Sequence, residues 1–218
     1  VVFAGTYLSQ EERDEIPVYE CNGISYTFLS YTYGCNGLTA PEGMEYLVNV
    51  YDDEMLLKDV KIARKKSDVV IVAMHWGNEY THTPTEEQKR LANMLAKEGV
   101  DIIIGNHPHV IQPIEWIDDT LVVYSCGNMI SAQDQLPRNI GLMVGIDIKK
   151  VDNQGDIKVE LSNLRADLLF TSYNSHWTDF RLYTFDLIED TILNNHEEIF
   201  EEYWQVVTSL ENEINRGV

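Results

Sequence analysis

Asp68-Val69-Val70-Ile71-Val72-Ala73-Met74 and Val100-Asp101-Ile102-Ile103-Ile104 bracket a helical stretch, and this unit decides the fold. Both are continuous apolar runs without polar alternation, as expected of strands covered on both faces. Between them Thr85-Glu86-Glu87-Gln88 has the spacing of a capping box, in which Thr and Gln each satisfy a free backbone N–H. That helix runs to about Glu98 and stops at Gly99, a residue type favoured just past a helix end. Strand, helix, strand of this length predicts two adjacent parallel strands in an α/β domain.

Working outward, Asp52 or Asp53 can cap a helix to about Lys66, with Lys61, Arg64, Lys65 and Lys66 near the end where the helix dipole favours cations. Upstream, Val18–Cys21 and Ile24–Tyr31 flank Asn22-Gly23, whose preference for positive φ predicts a hairpin over 17–33. Gly34 to Gly43 reads as a loop. Downstream, short strands are expected at about 111–117 and from Leu121, joined by a turn at Asp118-Asp119. Ile140–Lys149 and Ile157–Leu169 alternate and predict an antiparallel pair joined through Asp-Asn-Gln-Gly. Residues 171–190 have no clear pattern, and His196 to about Asn215 reads as an acidic terminal helix. The expected division is a domain over 1–190 and a packed helical tail over 191–218.

The chain has 218 residues, 16 Lys plus Arg and 36 Asp plus Glu, for a formal net charge of −20. That surface repels nucleic acid and anionic lipid headgroups, so no nucleic-acid partner is expected. An anionic ligand would need a local positive centre such as a metal ion. Cys21, Cys35 and Cys126 fit no zinc spacing. No apolar run of membrane-spanning length occurs. The sequence opens on Val1-Val2-Phe3-Ala4-Gly5 without Met, which reads as the interior of a longer protein.

Ligands of open α/β sheets bind beyond the carboxyl ends of the strands. His75-Trp76-Gly77-Asn78-Glu79-Tyr80 leaves the first strand, Gly105-Asn106-His107-Pro108-His109 the second, and Tyr124-Ser125-Cys126-Gly127-Asn128 a third. In extended backbone, residues two apart share a face, and Pro108 favours extension of His107, so His107 and His109 are expected to aim at one point. His75 can supply a third imidazole. This donor type suits zinc, iron, manganese or nickel, with Glu79 or Asn128 as candidates to complete the shell. Glu79 is read first as a carboxylate that orients a histidine, then as a ligand, then as a solvated group. Trp76 is read first as packing and second as a wall of the site, with Asn106 beside it. His82, His176 and His196 read as ordinary surface or core histidines.

Four stretches carry a resemblance. Met74 to Tyr80, Pro84 to Ala92, Asp101 to Glu115 and Tyr124 to Met129 resemble, in order and spacing, the motifs of the CapA/PgsA family of capsule and poly-γ-glutamate synthesis proteins, with Cys126 and Met129 where that family has Leu and Phe. Thr6, Ser9 and Asn22 to Thr32 also fit. The likeness covers about residues 1–145. It implies a calcineurin-like metallophosphatase fold, a four-layer αββα sandwich, here partial because the amino-terminal portion looks absent. It further implies His75, His107 and His109 as ligands of a site that is dinuclear in the superfamily, holding Mn, Zn or Fe. The superfamily's acidic and Asn-containing upstream ligands have no match in this chain.

The function so implied is capsule or poly-γ-glutamate synthesis with a metal-dependent, phosphoesterase-like hydrolase site, in which His107, His109 and Glu79 are the candidate catalytic residues. The rival reading is a non-catalytic polymer-binding or export component, and a third is a degenerate relative kept for protein contacts. Expected partners are an anionic polymer (poly-γ-glutamate or capsular polysaccharide), or a small phosphoester, and other capsule-synthesis membrane proteins. The expected location is the cell surface, reached through an anchor outside this chain.

Overall fold

The computed structural model describes residues 3–153 and 156–218. A short helix α1 (Gln10–Asp14) precedes strands β1 (Tyr19–Cys21) and β2 (Ile24–Thr32). Asn22 and Gly23 take φ of 52° and 79° between them, so the expected hairpin forms through the turn that Asn-Gly favours. Next come α2 (Asp53–Lys66), β3 (Val69–His75), α3 (Glu86–Lys97) and β4 (Ile102–Asn106), followed by β5 (Ile114–Ile117) and β6 (Thr120–Val123). The chain closes with α4 (Leu136–Asn139), β7 (Ile140–Asn153), β8 (Asp156–Ser172), β9 (Arg181–Thr184), α5 (His196–Val207) and β10 (Asn215–Arg216).

The first sheet has strand order β1-β2-β3-β4-β6-β5. β2, β3, β4 and β6 are parallel, and the outer strands β1 and β5 run antiparallel to their neighbours. Leu56, Val60 and Ala63 of α2 and Leu91, Ala92 and Leu95 of α3 are buried against Val70, Val72, Met74, Ile103 and Val122. Each such Leu, Val, Ile or Met side chain stabilises the fold by roughly 1.5–3 kcal/mol relative to exposure. The sheet's other face supplies Ile102, Leu121 and Val123 to a second core, shared with Leu142, Ala166 and Leu168 of a second sheet and with Tyr203 and Val207 of α5. That sheet has the order β10-β8-β7, with β9 also on β8. Helices on sheet on sheet make the expected α/β class, and two cores explain why β3 and β4 carry apolar residues on both faces.

Several boundaries differ from the sequence expectation. β5 begins at Ile114, because Pro113 has no N–H for the ladder; upstream of it Ile111 bridges to Cys126, the Gln112 N–H donates to the Ser125 carbonyl and the Pro113 carbonyl accepts from the Tyr124 N–H. β7 and β8 are several residues longer than expected, with the connection at Gln154-Gly155 outside the described residues. The terminal helix stops at Val207, where Thr208 turns both its N–H and its hydroxyl onto the Trp204 carbonyl. Asn215 and Arg216 pair instead with Arg165 and Ala166 as a parallel edge strand. No helix among the described residues is long and apolar enough to cross a membrane.

Candidate functional site

The parallel register brings the carboxyl ends of β2, β3 and β4 to one edge, with Thr32 beside His75 and His75 beside Asn106. His75 is the last residue of β3, and His107 and His109 follow β4 directly. The His75 and His107 rings lie 4.6 Å apart between centroids, and those of His107 and His109 6.2 Å apart. The three predicted histidines are therefore gathered, but not by the expected route. His107 and His109 have φ of 101° and 60°, so the segment is a turn and not an extended strand. The local preference of a residue before proline is overridden there. The Tyr80 N–H donates to the Pro108 carbonyl at 2.7 Å, pinning the loop after β3 onto the turn after β4.

Gly105 makes the close approach possible. A Cβ there would lie 1.9 Å from the Tyr124 carbonyl oxygen and 2.6 Å from Trp76 Nε1. Trp76 itself is fully buried and donates to that same carbonyl at 2.9 Å. It is a core residue behind the site and does not line it. Asn106 accepts the Trp76 N–H through its own carbonyl at 3.1 Å.

Asn128 orients His109. Its amide nitrogen donates to two carbonyls, His109 at 3.2 Å and Arg138 at 2.9 Å, which directs its Oδ1 at His109 Nδ1, 3.0 Å away. An acceptor at Nδ1 puts the proton on that nitrogen and leaves Nε2 with its lone pair. The Gln133 amide nitrogen lies 3.3 Å from the same Nδ1, while its buried Oε1 has no partner. With that amide reversed, the Gln133 oxygen shares the imidazole N–H with Asn128 Oδ1. Glu79, half exposed, stands 4.0 Å from His109 Nε2. Burial lowers the pKa of His75, helped by His107 and His109. Burial likewise lowers that of His107, opposed by Glu79. Both shifts favour neutral imidazole, the form that binds metal ions.

Two aromatic residues that sequence reasoning missed complete the surroundings. Tyr33 stacks on His75 at 5.7 Å and packs on His107 at 4.7 Å, and Tyr80 stacks on His109 at 5.8 Å. The signal for Tyr33 was its place just past β2, at the same sheet edge, which required knowing that β2 pairs parallel with β3. His82, His176 and His196 lie outside the cluster: His82 bonds the Ile111 carbonyl and His196 meets Asp190. Cys21, Cys35 and Cys126 are free thiols, and burial pushes that of Cys126 up to about 11. The donor chemistry of the histidines fits the expected metals. Among the described residues, however, no group of three or more His, Cys, Asp or Glu is arranged closely enough to hold an ion by itself.

Residues 1–133 match the family described as "Bacterial capsule synthesis protein PGA_cap". The chain is 32% identical over 151 residues to the "PGA biosynthesis protein CapA" of Bacillus subtilis (strain 168), a match spanning 69% of this chain and 39% of that protein. It is 39% identical over 84 residues to the "Capsule biosynthesis protein CapA" of Bacillus anthracis, spanning 37% of this chain and 20% of that one. Among solved structures, a Thermus thermophilus sulfate thiohydrolase SoxB is similar at a TM-score of 0.43 and 19% identity, over 70% of this chain and 24% of that one. With the histidine motifs placed at one sheet edge and more than half its length matched, the chain belongs to the bacterial capsule synthesis protein PGA_cap family.

Proposed function

We propose that this chain carries part of a metal-dependent hydrolase site in a protein that serves capsule or poly-γ-glutamate synthesis at the cell surface. The observation that carries the reading is the gathering of His75, His107 and His109 at the carboxyl ends of β3 and β4, with Asn128 holding His109 so that Nε2 is free. These three side chains would hold a divalent ion such as Mn, Zn or Fe, with further donors needed to complete its shell. A bound ion of that kind supplies Lewis acidity and acidifies coordinated water. Glu79, whose carboxylate stands 4.0 Å from His109 Nε2, would be the proton acceptor beside the ligands. Tyr33 and Tyr80 limit how far the rings can swing. The reading takes an anionic polymer or a small phosphoester as substrate, and other capsule-synthesis proteins of the membrane as partners.

Elemental analysis after incubation with manganese, zinc and iron tests it. We expect bound metal on the wild-type chain and at least a tenfold loss of affinity in His107→Ala and His109→Ala. Equal metal content in all three, or none in any, would overturn the metal role. The incomplete donor set among the described residues favours a second reading, a non-catalytic polymer-binding or export component. Polymer binding that survives both chelation and histidine substitution would select it.

A further inference from the structure

An anion approaching the histidine cluster meets a chain of net charge −20, so recognition needs a local cation. Across the segments 14–57, 67–88 and 98–148, which contain the loops that follow β2, β3, β4 and β6, Arg138 is the only lysine or arginine. Its guanidinium carbon lies 3.8 Å from the centre of the Tyr80 ring, and Tyr80 stacks on His109. Its carbonyl is bound by Asn128, the amide that also orients His109.

The guanidinium is held, yet poorly matched by the protein itself. Each of the other six arginines has a carboxylate oxygen at 2.6–3.3 Å. Arg138 has only Asp134, at 3.5 Å, one turn back and largely exposed, a kind of pair that contributes little and is readily exchanged. Its buried Nε has no partner. A planar fork with spare donors, fixed by stacking, is suited to two parallel hydrogen bonds to a carboxylate or phosphate.

We propose that Arg138 is a specificity-determining residue that binds an oxyanion group, carboxylate or phosphate, of the ligand at the histidine site. The assignment rests on that cluster being the site described above, but not on its holding a metal. It makes Tyr80 the link between anion recognition on one side and His109 on the other.

Equilibrium titration of the 218-residue chain with a γ-linked glutamate oligomer, its fully amidated neutral analogue and inorganic polyphosphate tests it. We expect Arg138→Gln to weaken binding of one of the two anions by about tenfold or more, and Arg138→Lys to recover part of the loss. The amidated oligomer should bind both forms equally weakly, and the anion that responds identifies carboxylate or phosphate as the source. Metal content of Arg138→Gln should equal wild type, and His109→Ala should lower metal without abolishing the Arg138-dependent difference. Loss of the metal result alone would remove the hydrolase reading and leave this one. Arg138→Gln binding both anions as tightly as wild type would overturn it, as would no binding of either by wild type. If Arg138→Gln fails to fold by circular dichroism, Arg138→Lys decides: unchanged affinity overturns the proposal, and weakened affinity with an unchanged melt supports it.

Discussion

At the scale of single residues, the site depends on what glycine and amide side chains permit. Gly105 lets β4 approach the strand end after β6 so closely that a methyl group would overlap the Tyr124 carbonyl. Gly105→Ala should therefore destabilise the chain by about 3 kcal/mol or more, read as a fall in melting temperature, because backbone cannot move aside as a flexible side chain does. A melt within a degree or two of wild type would show that β4 can shift freely. His107 and His109 show the same dependence on context. Both are non-glycine residues at positive φ, a conformation that costs of order 1–3 kcal/mol each and persists only where surrounding contacts impose it. Contacts that hold this turn include the hydrogen bonds from the Tyr80 N–H to the Pro108 carbonyl and from the Asn128 amide to the His109 carbonyl. The identity of the histidines was legible in the sequence. Their turn was not, because the local preference at an X-Pro step points the other way.

At the scale of elements, boundaries written in capping chemistry were legible. Asp52 accepts the Met55 N–H, Thr85 and Gln88 form the reciprocal capping box, and Gly99 takes a φ of 87° after α3. Thr85→Ala should cost about 1 kcal/mol in thermal or denaturant unfolding, the usual loss for removing a cap. Gln88 also acts beyond the cap. Fully buried, it donates to Gln112, whose amide in turn holds the Thr81 carbonyl of the loop after β3. A loss in Thr85→Ala well above 1 kcal/mol would mean that the cap also sets this buried pair. Where elements end on long-range pairing, the sequence misled. The amphipathic pattern after His196 continues past Val207, yet Asn215 and Arg216 give their backbone groups to β8. Tertiary partners override a helical period that only one face supports.

At the scale of the molecule, two sheets must be held face to face, and Asp68 contributes at their seam. It accepts hydrogen bonds from Lys150 of β7 at 2.8 Å and from the Ser25 hydroxyl and N–H of β2 at 2.7 and 2.9 Å. These bonds, Lys150 first, lower its pKa from 3.8 to about 2. A folded-state value below the unfolded one gives stability that is complete above about pH 4 and is lost as the pH falls through about 2. Asp68→Asn should thus be clearly less stable than wild type near neutrality, and the gap should narrow as unfolding is measured at progressively lower pH in that window. A gap that stays constant would show that the carboxylate's charge plays no part in joining the sheets.

By itself the sequence determined the βαβ unit, its parallel strands, the caps, the hairpin at Asn22-Gly23 and the three histidines at strand ends. All of these follow from interactions within a few residues or from the burial pattern of one strand. Tertiary structure alone decided that Tyr33 and Tyr80 flank the rings and that Arg138 joins the site from a segment far along the chain. Those outcomes depend on which strands pair and how two sheets face each other. No local period encodes that choice, because it is made by the packing of distant apolar faces.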